Sequence, residues 1–387
     1  MKPGGFMFIV GEPSGDTLGS ELASALIANS KRQGLDCPVF FGAGGPKMAQ
    51  AGVEMEFDLS AHAVVGILEV LKNYRKFKAF FDQLLNLAEH RKPDAIILVD
   101  YPGFNLRFAK ALRERCRAQP ELKWKPRIIY YVSPQIWAWH ESRVYQIAKD
   151  IDLMLSIFPF EKAWYAERVP SFTVEYVGHP LVDRFPAPKQ RTIIPHSPSH
   201  VLLLPGSRKR EVTKHLPVLL STMEWLGKNR SISATVVLPN DRLAQLAKHL
   251  LNGIPNVQLQ IGGLDEALRR SDAAIAASGT VTMECAWFRV PTVVIYITSW
   301  STYWFGKRFI KVKYLAMPNL LANELIFPEF IQDNATPENI GTAIAHFLDD
   351  PETRSATQKR LAITMDTLGG SGASERAADA ILHLLKT

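Results

Sequence analysis

At 387 residues, 47% of them apolar and 21% charged, the chain is too long for one ordinary core and too apolar to be disordered. Lysine and arginine total 45 against 38 acids, and the net charge of +7 suits nucleic acid, anionic lipid or phosphorylated substrates without choosing among them. Three scattered cysteines, Cys37, Cys116 and Cys285, exclude a disulfide framework and a C-x-x-C pair, which suits a reducing compartment.

The opening stretch FMFIVGEPSGDTLG places five apolar residues, Phe6 to Val10, directly before a glycine-bearing loop and an amphipathic helix. That is how a parallel strand feeds a ligand-facing turn, yet the loop matches neither G-x-G-x-x-G nor G-x-x-x-x-G-K-[ST]. Ser14, Gly15 and Asp16 are its candidate ligand contacts, although Asp16 could equally serve its own helix. The apolar run there is too short for a signal peptide. Further strands are predicted at Val39–Gly42, Ala95–Val99, Arg127–Val132, Asp152–Ile157 and Val174–Gly178.

Between Val39–Gly42 and Ala95–Val99 lies VVGILEVLKNYRKFKAFFDQLL, in which aromatic and basic residues interleave. Leu68, Leu71, Tyr74 and Phe77 mark a face that could lie on an anionic membrane or pack in the core. DYPGFN then ends a buried strand on Asp100, placed either as a general base or as a helix cap. VGHPLVD offers His179 as a rival base. The histidines show no H-E-x-x-H motif, and Asp150-Ile151-Asp152 precedes a strand, away from the ligand end, so no metal is expected.

RFPAPKQRTIIPHSPSH reads as a linker, and after it strand, glycine loop and helix recur in VLLLPGSRKREV. The expected organisation is a first domain over 1–185, a linker over 186–199 and a second domain over 200–365. A helix over 366–387 is expected to pack back on the first domain. Strands are predicted at Ala234–Leu238, Val257–Gln260, Ala273–Ala277 and Thr292–Ile297. The fold class is α/β, two Rossmann-like doubly wound domains facing a cleft.

Gly206 and Ser207 let the backbone turn closely over an anion, and Arg208 can grip a phosphate through two bonds. ASGTVTME supplies a second such turn, with Ser278, Gly279 and Thr280, and Glu284 follows where ribose hydroxyls could reach it. Two phosphate turns in one domain favour a nucleoside diphosphate. Asn319, in MPNLLANE, is a base or phosphate contact or a turn residue. The longest uncharged run, Val290 to Gly306, holds proline and polar groups and reads as a buried strand and turn rather than a membrane span.

Taken together, GEPSGDTLG, GAGGPKM, DYPGFNLR, YYVSPQIWAW, FPFEKAWY, VGHPLVD, LLPGSRKREV, ASGTVTMECA and TYWFGKRFIKVKYLAMPNLLANE resemble the lipid-A-disaccharide synthases, inverting glycosyltransferases of the GT-B class. The resemblance runs from about Ile9 to Gln332. It implies transfer of 2,3-diacylglucosamine from its UDP derivative to 2,3-diacylglucosamine 1-phosphate, with Asp100 as base and Arg208 on the donor phosphates. It also implies Ser278, Glu284 and Asn319 in the nucleotide pocket, and Ser14, Gly15, Asp16 and His179 on the acceptor side.

No cofactor, metal or nucleic acid is implied. The partners would be the acylated glucosamines and the anionic inner-membrane surface, met from the cytoplasmic side, with oligomeric state open. This chain departs from the family pattern at Gly103, where many members carry Asp, and at Asn323-Glu324, where many carry a basic residue. Rival readings are another GT-B enzyme of UDP-sugars, an epimerase or a polyprenyl-acceptor transferase, or a non-catalytic basic lipid-binding protein.

Overall fold

The computed structural model describes residues 5–59, 74–186, 198–251, 254–300 and 312–386, with residues 74–77 as backbone only. Two units result, Met1–Arg184 with Leu368–Thr387, and Phe185–Thr367.

Unit 1 runs β1 (Phe6–Val10), α1 (Pro13–Arg32), β2 (Phe40–Gly44), α2 (Pro46–Gln50), β3 (Glu54–Asp58), α3 (Tyr74–Arg91), β4 (Ala95–Val99) and α4 (Pro102–Ala118). It continues through β5 (Arg127–Tyr131), α5 (Val144–Asp150), β6 (Leu153–Ser156), α6 (Pro159–Arg168), β7 (Val174–Tyr176) and α7 (Leu181–Arg184). The sheet is parallel, ordered β3-β2-β1-β4-β5-β6-β7. FMFIV and AIILV, buried at every position, form the two central strands β1 and β4, as continuous apolar runs must when helices cover both faces. Strand β3 escapes the sequence reading because EMEFD alternates between exposed and half-buried positions at the sheet edge.

Unit 2 runs β8 (Ser199–Leu204), α8 (Lys209–Gly227), β9 (Ile232–Leu238), α9 (Asp241–Leu251), β10 (Val257–Ile261), α10 (Leu264–Arg270), β11 (Ala273–Ala277) and α11 (Val281–Trp287). Then come β12 (Thr292–Tyr296), α12 (Met317–Ala322), β13 (Glu329–Ile331), α13 (Pro337–Asp349) and α14 (Pro351–Asp366). Its parallel sheet is ordered β10-β9-β8-β11-β12-β13. The strand β13, three residues in length, is too short to be read from sequence.

The last helix, α15 (Ala373–Lys386), belongs to unit 1. Asn29 of α1 donates to the Glu375 carbonyl at 3.1 Å and to the Asp379 carboxylate at 2.7 Å. Arg376 donates to the carbonyls of Val177, Gly370 and Ser371. Gly178 follows from that contact: a Cβ there would meet the Arg376 guanidinium at 2.4 Å, and the backbone takes φ +87°. Most of the expected linker falls on residues 187–197, outside the described residues.

Candidate active site

Both sheets reverse their winding between two central strands, β1 and β4 in unit 1 and β8 and β11 in unit 2. Ligands of doubly wound sheets bind beyond the carboxyl ends of the strands at that switch point. All four loops singled out from sequence stand there: Gly11–Asp16 after β1, Asp100–Pro102 after β4, Pro205–Arg208 after β8 and Ser278–Thr280 after β11.

The turn after β4 is built on two consecutive residues in the left-handed region, Asp100 at φ +48° and Tyr101 at φ +49°. Neither is glycine, and each such residue costs on the order of 1–2 kcal/mol. The Asp100 amide donates to the Tyr131 carbonyl at 2.9 Å, continuing the ladder one residue beyond β4. Its carbonyl accepts from the Tyr130 hydroxyl at 2.6 Å and the Asn105 amide at 2.8 Å. The Tyr101 ring stacks on Phe104 with centroids 5.8 Å apart. The ring also lies against Gly11, where a Cβ would fall 2.1 Å from it. Burial and then the nearby Glu12 raise the Tyr101 hydroxyl above its ordinary pKa. Asp100 itself is half-buried.

Asp16 is corrected by its contacts. It is 4% exposed, and its carboxylate accepts from the amides of Gly45, Met48 and Lys47 at 2.9, 3.1 and 3.0 Å, fixing the start of α2. That is a structural use, and Ser14 is exposed in the loop, as is Pro13, while Gly15 is buried. His179 is corrected too. Its ring packs against Phe158, its Nδ1 accepts from the Leu181 amide at 3.1 Å, and burial, aided by Arg184, lowers its pKa to about 4. With Nδ1 accepting, the neutral ring carries its proton on Nε2 and has no free nitrogen lone pair, which makes it a poor rival to Asp100.

In unit 2 Gly206 takes φ +118° and Arg208 stays extended at φ −123°. The amides of Ser207 and Arg208 donate to one Glu211 oxygen at 2.9 and 3.2 Å, and the Arg208 guanidinium meets the other at 3.3 Å. Those two amides, expected to face an anion, are therefore held by the chain's own carboxylate. What the turn offers a phosphate is Arg208, whose side chain is 45% exposed. His215 locks the turn from behind: its Nε2 accepts from the Ile297 amide at 3.0 Å, so its Nδ1 carries the proton and donates to the Pro205 carbonyl at 2.8 Å. Burial lowers the His215 pKa, in keeping with that neutral form.

The turn after β11 is more open. Gly279 takes φ +152° and has nothing within 4 Å of where a Cβ would stand, while Ser278 Oγ donates to the Leu315 carbonyl at 3.5 Å. Thr280 precedes α11, and Glu284 is half-buried on it. Asn319 needs correction. It is fully buried, its Oδ1 accepts from the amides of Ile326 and Phe327, and its Nδ2 donates to the Phe327 carbonyl and Glu329. Two donors and two acceptor sites are thus filled, which leaves it the architect of the segment rather than a direct nucleotide contact.

Of the residues for which a membrane face is expected, Leu68 and Leu71 lie outside the described residues, as do the side chains of Tyr74 and Phe77. Farther along α3, Leu84, Leu85 and Ala88 are buried in the unit 1 core. The Asp150-Ile151-Asp152 carboxylates are held by Gln146 and Arg113, and Asp152 also accepts from the Ile128 amide. Tyr130, Asn105, Glu211, His215 and Glu329 escaped the sequence reading. Glu211 alone had a signal, its place three residues after Arg208 at a helix start.

Two such switch-point sheets define the GT-B fold. Solved structures sharing it are S. aureus MnaA with UDP (TM-score 0.64, 13% identity, 100% of this chain and 97% of that one) and the calicheamicin glycosyltransferase CalG4 (0.59, 15%, 100% and 99%). MurG of Acinetobacter baumannii also shares it (0.54, 12%, 98% and 100%). Residues 6–383 match the family model described as lipid-A-disaccharide synthetase. Relatives named lipid-A-disaccharide synthase are 37% identical over 390 residues in Geobacter metallireducens and 38% over 395 in Geobacter sulfurreducens, each covering 98% of this chain and 97% of the relative. The chain belongs to the lipid-A-disaccharide synthase family and is a glycosyltransferase.

Proposed function

We propose that this protein moves 2,3-diacylglucosamine from UDP-2,3-diacylglucosamine to 2,3-diacylglucosamine 1-phosphate, giving the β-1,6 disaccharide 1-phosphate and UDP. The observation that carries the reading is full-length family membership joined to an acid and an arginine at two switch points. Asp100 takes the proton of the acceptor 6-hydroxyl as that oxygen attacks the anomeric carbon from the face opposite UDP. One displacement inverts the α-linked donor to a β product. Arg208, presented by Glu211, meets the charge that develops on the departing diphosphate. The proposed route uses this guanidinium in the place of a divalent ion, with Ser278, Gly279, Thr280 and Glu284 around the nucleotide.

Among the described residues no helix is long and apolar enough to cross a membrane. The reading therefore brings the acylated substrates to the protein from an anionic inner-membrane surface met from the side. The aromatic and basic sequence of residues 65–81 supports that contact.

The test is disaccharide synthesis in detergent by wild type, Asp100→Ala and Arg208→Ala, each with and without EDTA. Synthesis indifferent to EDTA and reduced about 10²–10⁴-fold in both variants is expected. Consumption of an unacylated UDP-sugar without disaccharide would favour another UDP-sugar enzyme. Sedimentation with anionic vesicles, lowered in Leu71→Glu, checks the membrane contact.

A further inference from the structure

The turn that carries Asp100 is held by two buried side chains, one of which, Asn105, also ties the ends of β1 and β4 through the Ile9 and Val99 carbonyls. Tyr130 lies on β5, beside β4, and is fully buried. Its hydroxyl, out of reach of solvent, donates to the Asp100 carbonyl at 2.6 Å. Burial, with Asp100 nearby, pushes its pKa well up, so it stays a proton donor throughout the working range. Asn105, on the first turns of α4, is also fully buried, and its Nδ2 donates to the same carbonyl at 2.8 Å and to the Val99 carbonyl at 3.2 Å. A buried asparagine and tyrosine converging on one carbonyl fix the orientation of that peptide group. This peptide joins two left-handed residues that no glycine relieves, the kind of strain that persists only where the surroundings over-determine it.

We propose that Tyr130 and Asn105 are positioning residues for Asp100: by gripping its carbonyl they hold the left-handed Asp100–Tyr101 pair, and so the direction in which the Asp100 carboxylate is offered to the acceptor hydroxyl. The inference rests on Asp100 being the base. The Tyr101 ring, seated on Gly11 and stacked on Phe104, completes the clamp from above. Without the grip the pair relaxes toward ordinary backbone angles and the carboxylate swings away, while donor binding at Arg208 is untouched.

Tyr130→Phe keeps the buried ring and deletes only the donor. Disaccharide synthesis is measured in wild type, Tyr130→Phe, Asp100→Ala and the double variant, with UDP binding as the check that the chain is folded. A fall of about 10–100-fold in kcat for Tyr130→Phe is expected, with the donor KM within about twofold. The same substitution in the Asp100→Ala background is expected to change the residual rate less than about twofold, because its effect passes through Asp100. Asn105→Ala, run in the same two backgrounds, is expected to repeat the pattern.

A loss of equal size in both backgrounds would mean general structural damage, and an unchanged kcat would mean no grip; either overturns the positioning role while leaving the base in place. Full activity in Asp100→Ala would overturn the base and the positioning role together.

Discussion

Two turns of similar task are built in opposite ways. After β8 the strained position is given to Gly206, and Arg208, two residues on, keeps ordinary extended angles. After β4 the proposed base, Asp100, itself takes the left-handed conformation, and so does the tyrosine that follows. Glycine cannot relieve that strain at position 100 without deleting the carboxylate. The first turn is therefore relaxed and braced by Glu211 and His215; the second is strained and gripped by Tyr130 and Asn105. A side chain needed in one fixed direction is worth backbone strain, whereas a long arginine finds its target from a relaxed backbone.

The largest effect is expected where the relaxed turn loses its relaxation. Gly206→Ala puts a Cβ 2.4 Å from the Glu211 carboxylate and 2.6 Å from its Cβ, at φ +118°. Strain and overpacking together should cost unit 2 about 3 kcal/mol, read as a lowered calorimetric transition. UDP affinity should fall at least about tenfold by titration calorimetry, since Arg208 is displaced with its turn.

Gly11→Ala attacks the strained turn from above. The added methyl would fall 2.1 Å from the Tyr101 ring, so the ring must lift and carry the Asp100–Tyr101 peptide with it. About 1–3 kcal/mol of stability should be lost, and the turnover number should fall by up to about 100-fold. UDP affinity should not change. A matching loss of UDP affinity would erase the distinction between the two turns.

Sequence made much of this legible, and for physical reasons. The central strands are unbroken apolar runs, and the ligand loops carry glycines or chemically active residues directly after them. What it hid lies across strands or at edges. The grip of Tyr130 on Asp100 joins residues thirty positions apart, and the His215 bridge joins Pro205 to Ile297. The sequence leaves Asp16 and Asn319 open between a ligand contact and a structural use, because a polar residue in a loop looks the same whether it faces a ligand or its own backbone. Only their hydrogen bonds distinguish the two uses.

His179 separates support from chemistry through pH. Its pKa falls from 6.5 in the unfolded chain to about 4 in the folded one, so the unfolded state binds more protons between those values. The neutral ring's contribution is complete above pH 6.5 and is lost as pH falls through that window. Relative to His179→Gln, wild type should lose about 2 kcal/mol of stability between pH 7.5 and pH 5. Chemical unfolding at the two pH values measures it. An unchanged difference would mean that the ring is not buried neutral, and would return His179 to contention as a base.

The smallest effect is expected beside the strained turn rather than in it. Gly103 sits in the first turn of α4, does not share the positive φ of Asp100 and Tyr101, and has nothing within 4 Å of an added Cβ. Glycine in a helix weakens it by leaving the unfolded chain more freedom, so Gly103→Ala should stabilise unit 1 by about 0.5–1 kcal/mol. Because the methyl points into open space and the grip on the Asp100 carbonyl is untouched, activity should stay within about twofold. A large fall in turnover with a raised melting temperature would place substrate in that open space, so that the acceptor passes over the start of α4. An unchanged turnover confines the demanding geometry of this site to the two residues whose backbone is strained.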